Sequence, residues 1–332
     1  MFFSIILFMW LCFMNDPKVS VLIITYNQEQ FINDTLRSAI DQDYKNLEVV
    51  VSDDGSSDGT PKIINEYTKR YPLRVKAITN GQNLGITGNC NRALHQCTGS
   101  FIAIQGGDDV LLPNKIRMQV NWFSESEKRV LCYHDAEVFE SSSNEKICNY
   151  SEMAPLISGI GPVALIERMR LGAATTVMVR TSSIPEYGFD IRLPMVSDWK
   201  FQIDCLIGGG EYGFIDGVYA RYRRHGKNSR LKASKQYYED CLMTTYLVEK
   251  ECTQYALACR KARARIYGGM AIDMATRKNY RSAFQMYMKS VKESYSWKLL
   301  PGIIFILLPG ALRKLLIKLF GKSIPELNYS QH

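Results

Sequence analysis

Apolar and polar positions divide the chain into two regimes. Up to about residue 110, short continuous apolar runs alternate with segments whose apolar residues recur every three or four positions. Val19 to Thr25 and Leu47 to Ser52 are the first two runs, followed by Arg74 to Thr79 and Phe101 to Gln105. Runs of this length, rich in β-branched residues, predict strands buried on both faces. Between them, residues 29–42 place Phe31, Ile32, Leu36, Ala39 and Ile40 on one helical face. Residues 60–71 present Ile63, Ile64 and Tyr67, and residues 87–97 also read as a helix. Four alternations of strand and helix predict a parallel sheet with crossover helices.

Beyond Pro113 the order is looser. The pattern predicts a helix over 113–124, a strand over 130–139, a polar loop near 141–152 and a helix near 162–171. A strand over 174–180, a helix from Val196-Ser197-Asp198-Trp199 to about 207, and strands near 211–223 follow. Residues 236–295 carry Tyr, Met and Leu at helical spacing and read as a helical appendage. The division expected is an apolar segment over 1–16, an α/β domain over 17–235 and a helical, basic and apolar extension over 236–332.

The strand ends hold the chemistry. Strand 47–52 runs into Asp53-Asp54-Gly55-Ser56-Ser57-Asp58-Gly59-Thr60, and strand 101–105 into Gly106-Gly107-Asp108-Asp109. Open α/β sheets bind ligands at the carboxyl edge of their strands. Adjacent carboxylates repel a bare phosphate but suit a nucleobase N–H, a ribose hydroxyl or a metal ion. Asp198 opens a later helix. Several carboxylates without a His/Cys cluster favour Mg²⁺ or Mn²⁺ over zinc, and such an ion can carry a diphosphate.

Charge is uneven. The chain's net +8 divides into +12 over residues 260–322 and −4 elsewhere. No nucleic-acid-binding motif accompanies the basic segment, so no nucleic-acid partner is expected. Its apolar stretch Leu299 to Leu312 and basic Arg313 to Phe320 read as a re-entrant or surface-lying membrane segment, or as a helix packed on the main domain. Met1 to Met14 is uncharged and shorter than the ~20 residues that span a bilayer. It reads as an interfacial anchor, or as sequence upstream of a start at Met14. Nine scattered cysteines, with no C-x-x-C pair, fit a reducing cytosol.

Taken in order, Val19–Asn27, the Asp53-Asp-Gly-Ser-Ser-Asp-Gly-Thr turn, Asn83-Leu-Gly85, Gly107-Asp-Asp109, Ser197-Asp-Trp199 and Tyr222-Arg-Arg-His225-Gly resemble glycosyltransferase family 2. The resemblance covers roughly residues 18–230. It implies a GT-A fold, the Rossmann-like nucleotide-diphospho-sugar transferase domain, here with a C-terminal helical, membrane-associating extension. It implies an inverting enzyme with a UDP-, GDP- or dTDP-sugar donor.

Position by position, the resemblance puts Thr25 and Asn27 on the nucleoside and Asp53 on the pyrimidine N–H, with Asp54 close by. It puts Asn83 and Gly85 in the nucleotide-sugar site. Asp108 falls on the ribose or the metal, Asp109 on the metal, and His225 on a loop over the diphosphate. Asp198 matches the general base. Two positions depart from the common pattern: Gly106 replaces a carboxylate, and Cys90 stands where relatives often carry arginine, with Arg92 nearby. The acceptor implied is a glycan or lipid-linked glycan in surface polysaccharide (O-antigen or capsule) synthesis, at the cytoplasmic face of a bacterial inner membrane. Two other readings share these residues: a non-catalytic nucleotide-sugar-binding protein, and a sugar nucleotidyltransferase. The second normally carries a Gly-rich basic loop after the first strand, and residues 25–32 hold no Gly, Lys or Arg.

Overall fold

The computed structural model describes residues 16–79, 81–154, 156–169, 171–226 and 234–294. The apolar start and the stretch 295–332 lie outside the described residues. The chain forms two compact units. Of the described residues, one holds those from 16 to 162 together with 171–226, and the other holds 163–169 with 234–294.

The first unit is built on one mixed sheet. Strands β1 (Val19–Thr25), β2 (Leu47–Asp53), β3 (Val75–Thr79) and β4 (Phe101–Gly106) run parallel in the order β3-β2-β1-β4. Helices α1 (Ile32–Ile40), α2 (Thr60–Arg70) and α3 (Gly85–Leu94) make the crossovers. This is the alternation that the apolar pattern predicts. Beyond β4 the sheet continues through β9 (Met178–Arg180), β6 (Arg129–Glu140) and β10 (Glu211–Arg224) to β5 (Val110–Leu111). β9 is antiparallel to both its neighbours, whereas β6 and β10 are parallel. Helix α4 (Lys115–Ser124) packs its Ile116, Val120 and Phe123 into a core shared with Val19, Val21, Ile23, Val49 and Val51.

Three segments differ from the pattern-based expectation. The polar loop near 141–152 contains β7 (Lys146–Asn149), an edge strand antiparallel to β6. Residues 174–176 form a 3₁₀ turn, not the start of a strand, because the Thr176 hydroxyl donates to Ala173 O at 2.7 Å. Residues 211–224 form one long strand. Its pairing with β6 shifts register between Ile215 and Val218, where Gly217 has φ +120°. A short strand β8 (Gly159–Ile160) pairs with the start of β10.

The second unit contains α5 (Val163–Arg168), α7 (Ser234–Glu251), α8 (Ala256–Thr276) and α9 (Tyr280–Glu293); α6 (Ser197–Leu206) belongs to the first. Arg263 on α8 ties three helices, reaching Glu249 on α7 at 2.5 Å and Glu293 on α9 at 2.9 Å. Among the described residues, no helix is long and apolar enough to cross a membrane.

Candidate active site

Register brings the strand ends together. Thr25 pairs with Asp53 across β1–β2, and Ile24 pairs with Gly106 across β1–β4. The turns that follow β1, β2 and β4 are therefore neighbours at one carboxyl edge.

The turn after β2 is held by its own side chains. Asp53 is 1% exposed, and its carboxylate accepts the Ser56 N–H at 3.1 Å and the Ser56 hydroxyl. Burial pushes the Asp53 carboxyl up, the Ser56 bonds oppose that, and Asp58 and Asp54 add to it. Asn27 sits in the left-handed region at φ 51°, which asparagine tolerates better than most residues. Its N–H donates to Ser56 Oγ at 2.8 Å, and its Oδ1 accepts from the Ser57 N–H at 2.9 Å. The Asp54 carboxylate accepts the Leu84 N–H at 2.8 Å, which joins this turn to the start of α3. There the Asn83 side chain accepts the Gly85 N–H at 3.0 Å, and Gly85 takes φ +74°.

The turn after β4 lies against Thr25. The Gly107 N–H donates to Ile24 O at 2.9 Å. The buried Thr35 hydroxyl on α1 lies 3.0 Å from Gly107 O and 2.8 Å from Asp109 O. The Gln105 amide also donates to Asp109 O.

The two carboxylates of this turn are not equivalent. Asp109 is 4% exposed, and its Oδ1 accepts the main-chain N–H of Arg223 at 3.0 Å. Burial pushes its carboxyl well above the usual range, with Asp108 adding and Arg223 opposing. The Asp108 side chain keeps 18% of its surface exposed, and its Oδ2 lies 2.9 Å from His225 Nε2. The His225 ring packs on Phe31, with centroids 4.8 Å apart. The Arg223 guanidinium donates to Asp108 O at 2.8 Å and lies against the rings of Phe31 and Phe139.

Asp198 stands in the first turn of α6, where the helix dipole favours a carboxylate. Its Oδ1 lies 2.8 Å from the Trp199 N–H. The preceding Ser197 hydroxyl is 2.9 Å from Thr87 Oγ1 on α3. Asp198 and Asp54 both act on the Cys90 thiol, which burial pushes up to about 12. Cys90 is thus an inert, buried thiol, while Arg92 beside it is exposed.

Thr25, Asn27, Asp53, Asp54, Asn83, Gly85, Asp108, Asp109 and His225 thus belong to strand ends, the turns that follow them and the start of α3, gathered at this edge, and Asp198 is linked to it through α3. Among the described residues, no group of three or more His, Cys, Asp or Glu side chains is arranged as a metal centre. Mg²⁺ and Mn²⁺ do not demand one, because one or two carboxylates with substrate phosphates and water complete their shell. The adjacent carboxylates Asp108 and Asp109 fit that requirement in kind, Asp108 being the more exposed of the two. The sequence reading did not single out Ser56, Thr35, Gln105 or Arg223. Ser56 was within sight, as the third residue after Asp53 in an Asx-type turn.

The family model for glycosyl transferase family 2 matches residues 20–152. This chain carries a family 2 glycosyltransferase domain. WfgD of Escherichia coli, a UDP-Glc:alpha-D-GlcNAc-diphosphoundecaprenol beta-1,3-glucosyltransferase, is 37% identical to it over 108 residues, 32% of this chain and 42% of WfgD. The chain spans 59% of the length of uncharacterized Mycobacterium tuberculosis relatives to which it is 30% identical over 212 residues. Residues 1–349 of S. aureus TarS in complex with UDP-GlcNAc superpose at a TM-score of 0.62 and 19% identity, covering 93% of this chain and 89% of that one. The mannosyltransferase PcManGT from Pyrobaculum calidifontis, in complex with GDP-Man and Mn²⁺, superposes at 0.58 and 16% identity, covering 95% and 88%. These likenesses give the transferase domain a GT-A-like fold. Asp198 and His225 lie beyond the matched residues 20–152.

Proposed function

We propose that the chain is an inverting glycosyltransferase that moves a sugar from a nucleotide-diphosphate donor to a hydroxyl of a glycan or lipid-linked glycan. The carrying observation is the gathering of Asp53, Asp54, Asp108 and His225 at one sheet edge. In this reading the Asp53 carboxylate receives a base N–H, and Thr25, Asn27 and Asp54 line the nucleoside. Asp108, the more accessible of its pair, would hold the divalent cation in place of Asp109, one of whose oxygens the Arg223 N–H occupies, and His225 would lie over the diphosphate. A bound Mg²⁺ or Mn²⁺ offsets charge on the departing diphosphate. Asp198 accepts the proton of the attacking hydroxyl, a poor nucleophile near neutral pH. A single base opposite a single leaving group gives one displacement and inversion at the anomeric carbon.

WfgD's name describes transfer to a diphosphoundecaprenol-linked sugar. That supports a lipid-linked acceptor and a role in surface polysaccharide synthesis. The net +12 over residues 260–322 supports attraction to an anionic membrane surface, on the cytoplasmic face of a bacterial inner membrane.

A thermal-shift panel of UDP-, GDP- and dTDP-sugars with and without Mn²⁺ tests the function, because a ligand of the folded state raises its melting temperature. At least one donor should shift it, with the larger shift in Mn²⁺. No shift with any donor would refute the reading. Cosedimentation with anionic vesicles tests the location, and equal recovery on neutral vesicles would remove the electrostatic argument.

A further inference from the structure

The segment 187–197 leads into the helix that carries Asp198, and it is fastened at both ends of its course. Thr87 and Asn91 lie four residues apart on α3 and so share one face. The Thr87 hydroxyl is buried, 2.6 Å from Leu193 O and 2.9 Å from Ser197 Oγ. The Asn91 amide bonds both main-chain groups of Phe189: its Nδ2 donates to the carbonyl and its Oδ1 accepts the N–H, each at 2.7 Å. That two-point pairing needs a close approach. Gly188 supplies it at φ +66°, where an added Cβ would stand 2.5 Å from Asn91 Oδ1.

The far side of the segment grips α6. The Phe189 ring stacks on Phe201, with centroids 4.1 Å apart and planes within 7°. Tyr187 donates its hydroxyl to Asp204 at 2.7 Å, and Asp204 pairs with the buried Lys200 at 2.6 Å. The near side of α3 begins one residue after Leu84, whose N–H is bound by Asp54. A continuous path therefore runs from the Asp53-Asp54 turn through α3 to Ser197 and Asp198.

We propose that Thr87 and Asn91 are positioning residues that clamp segment 187–197 to α3 and so set Asp198 relative to the Asp53-Asp54 turn. Neither needs to touch substrate. The proposal rests on the glycosyltransferase reading for its catalytic consequence, but the clamp itself is testable without a ligand.

The test uses the full chain and four variants: Thr87→Val, which keeps shape and removes the hydroxyl, Thr87→Ser, Asn91→Leu and Asn91→Asp. Hydrogen exchange is followed over residues 188–200 in nucleotide-free protein, beside the melting temperature. Exchange there should rise about tenfold in Thr87→Val and Asn91→Leu, as expected when a local opening loses one or two buried hydrogen bonds. It should stay near wild type in Thr87→Ser. Asn91→Asp, which loses only the donor, should fall between. With Mn²⁺ and UDP or GDP as the probe, nucleotide affinity should change less than about twofold, while turnover of the sugar nucleotide that shifts the wild type falls about tenfold at unchanged KM.

Wild-type exchange in Thr87→Val and Asn91→Leu would overturn the clamp. So would a loss of nucleotide affinity in step with the exchange, which marks a general loosening of the domain. Failure of wild-type protein to bind either nucleotide would overturn the transferase reading instead, and the exchange result would still decide the clamp.

Discussion

The main-chain N–H of Arg223 donates to Oδ1 of Asp109 at 3.0 Å. This bond joins the end of β10 to the acidic turn after β4, 114 residues earlier in the chain. It occupies one oxygen of a carboxylate that is already buried. The neighbouring Asp108 turns its carboxylate to His225 instead. Two adjacent aspartates thus have different partners and different access to ligand.

Different partners imply separable losses. Asp109→Ala leaves the buried Arg223 N–H without its acceptor, which costs about 1–3 kcal/mol. The melting temperature should fall by several degrees. Asp108→Asn should leave it within a degree or two, yet abolish the Mn²⁺ dependence of nucleotide binding. Melting curves with and without Mn²⁺ and nucleotide separate the two. If Asp109→Ala folds normally and loses the metal effect while Asp108→Asn keeps it, the metal belongs to Asp109.

The base assignment predicts a different signature. Asp198→Asn keeps size and helix-start geometry but cannot accept a proton. Donor binding should stay near wild type while transfer falls by about 10²–10⁴-fold, the range of a lost general base. Steady-state transfer beside equilibrium nucleotide binding checks both halves. Transfer at the wild-type rate would remove Asp198 from the mechanism.

The turn after β4 also depends on a missing side chain. A Cβ on Gly107 would stand 2.7 Å from Thr25 Cβ and 2.4 Å from Gln28 Oε1. Gln28 can swing aside, but Thr25 is fixed at a buried strand end. Gly107→Ala should therefore cost about 1–3 kcal/mol by overpacking and displace the acidic turn. Nucleotide affinity and melting temperature should fall together. An alanine variant with wild-type melting and binding would show that the turn has room to give.

The parallel half of the sheet was legible because strands buried on both faces must be continuously apolar, as Val19–Thr25 and Leu47–Val51 are. The acidic turns were legible because several carboxylates at strand ends are conspicuous against that background. The edge strand Lys146–Asn149 was not, since a short exposed strand needs no apolar alternation. The 3₁₀ turn at 174–176 was not, because Ala-Thr-Thr reads as extended until the Thr176 side-chain bond is known. Arg223 was invisible for a deeper reason. Its bond to Asp109 comes from a main-chain N–H and from cross-strand register, neither of which leaves a mark on residue type. The unequal roles of Asp108 and Asp109 follow from the same register, so spacing alone could not separate them.

A buried histidine gives the transferase domain an acid limit. His134 on β6 is 1% exposed, and its Nδ1 lies 2.8 Å from Asp135 O. Among the described residues, its Nε2 has no hydrogen-bond partner. Burial, with the Lys115 ammonium adding, pushes its pKa down from 6.5 to about 3. As pH falls below 6.5, the unfolded chain takes up this proton and the folded chain does not, so stability is lost from pH 6.5 down to about 3 and not further below. Between pH 7 and pH 4 this one group removes about 3 kcal/mol. His134→Phe keeps an aromatic ring against Tyr219, 5.4 Å away, and has no proton to gain. Urea unfolding at pH 7, 5 and 4 should show the wild type losing more stability than the variant, with the gap opening below pH 6. Parallel pH profiles for the two proteins would show that His134 does not set the acid limit.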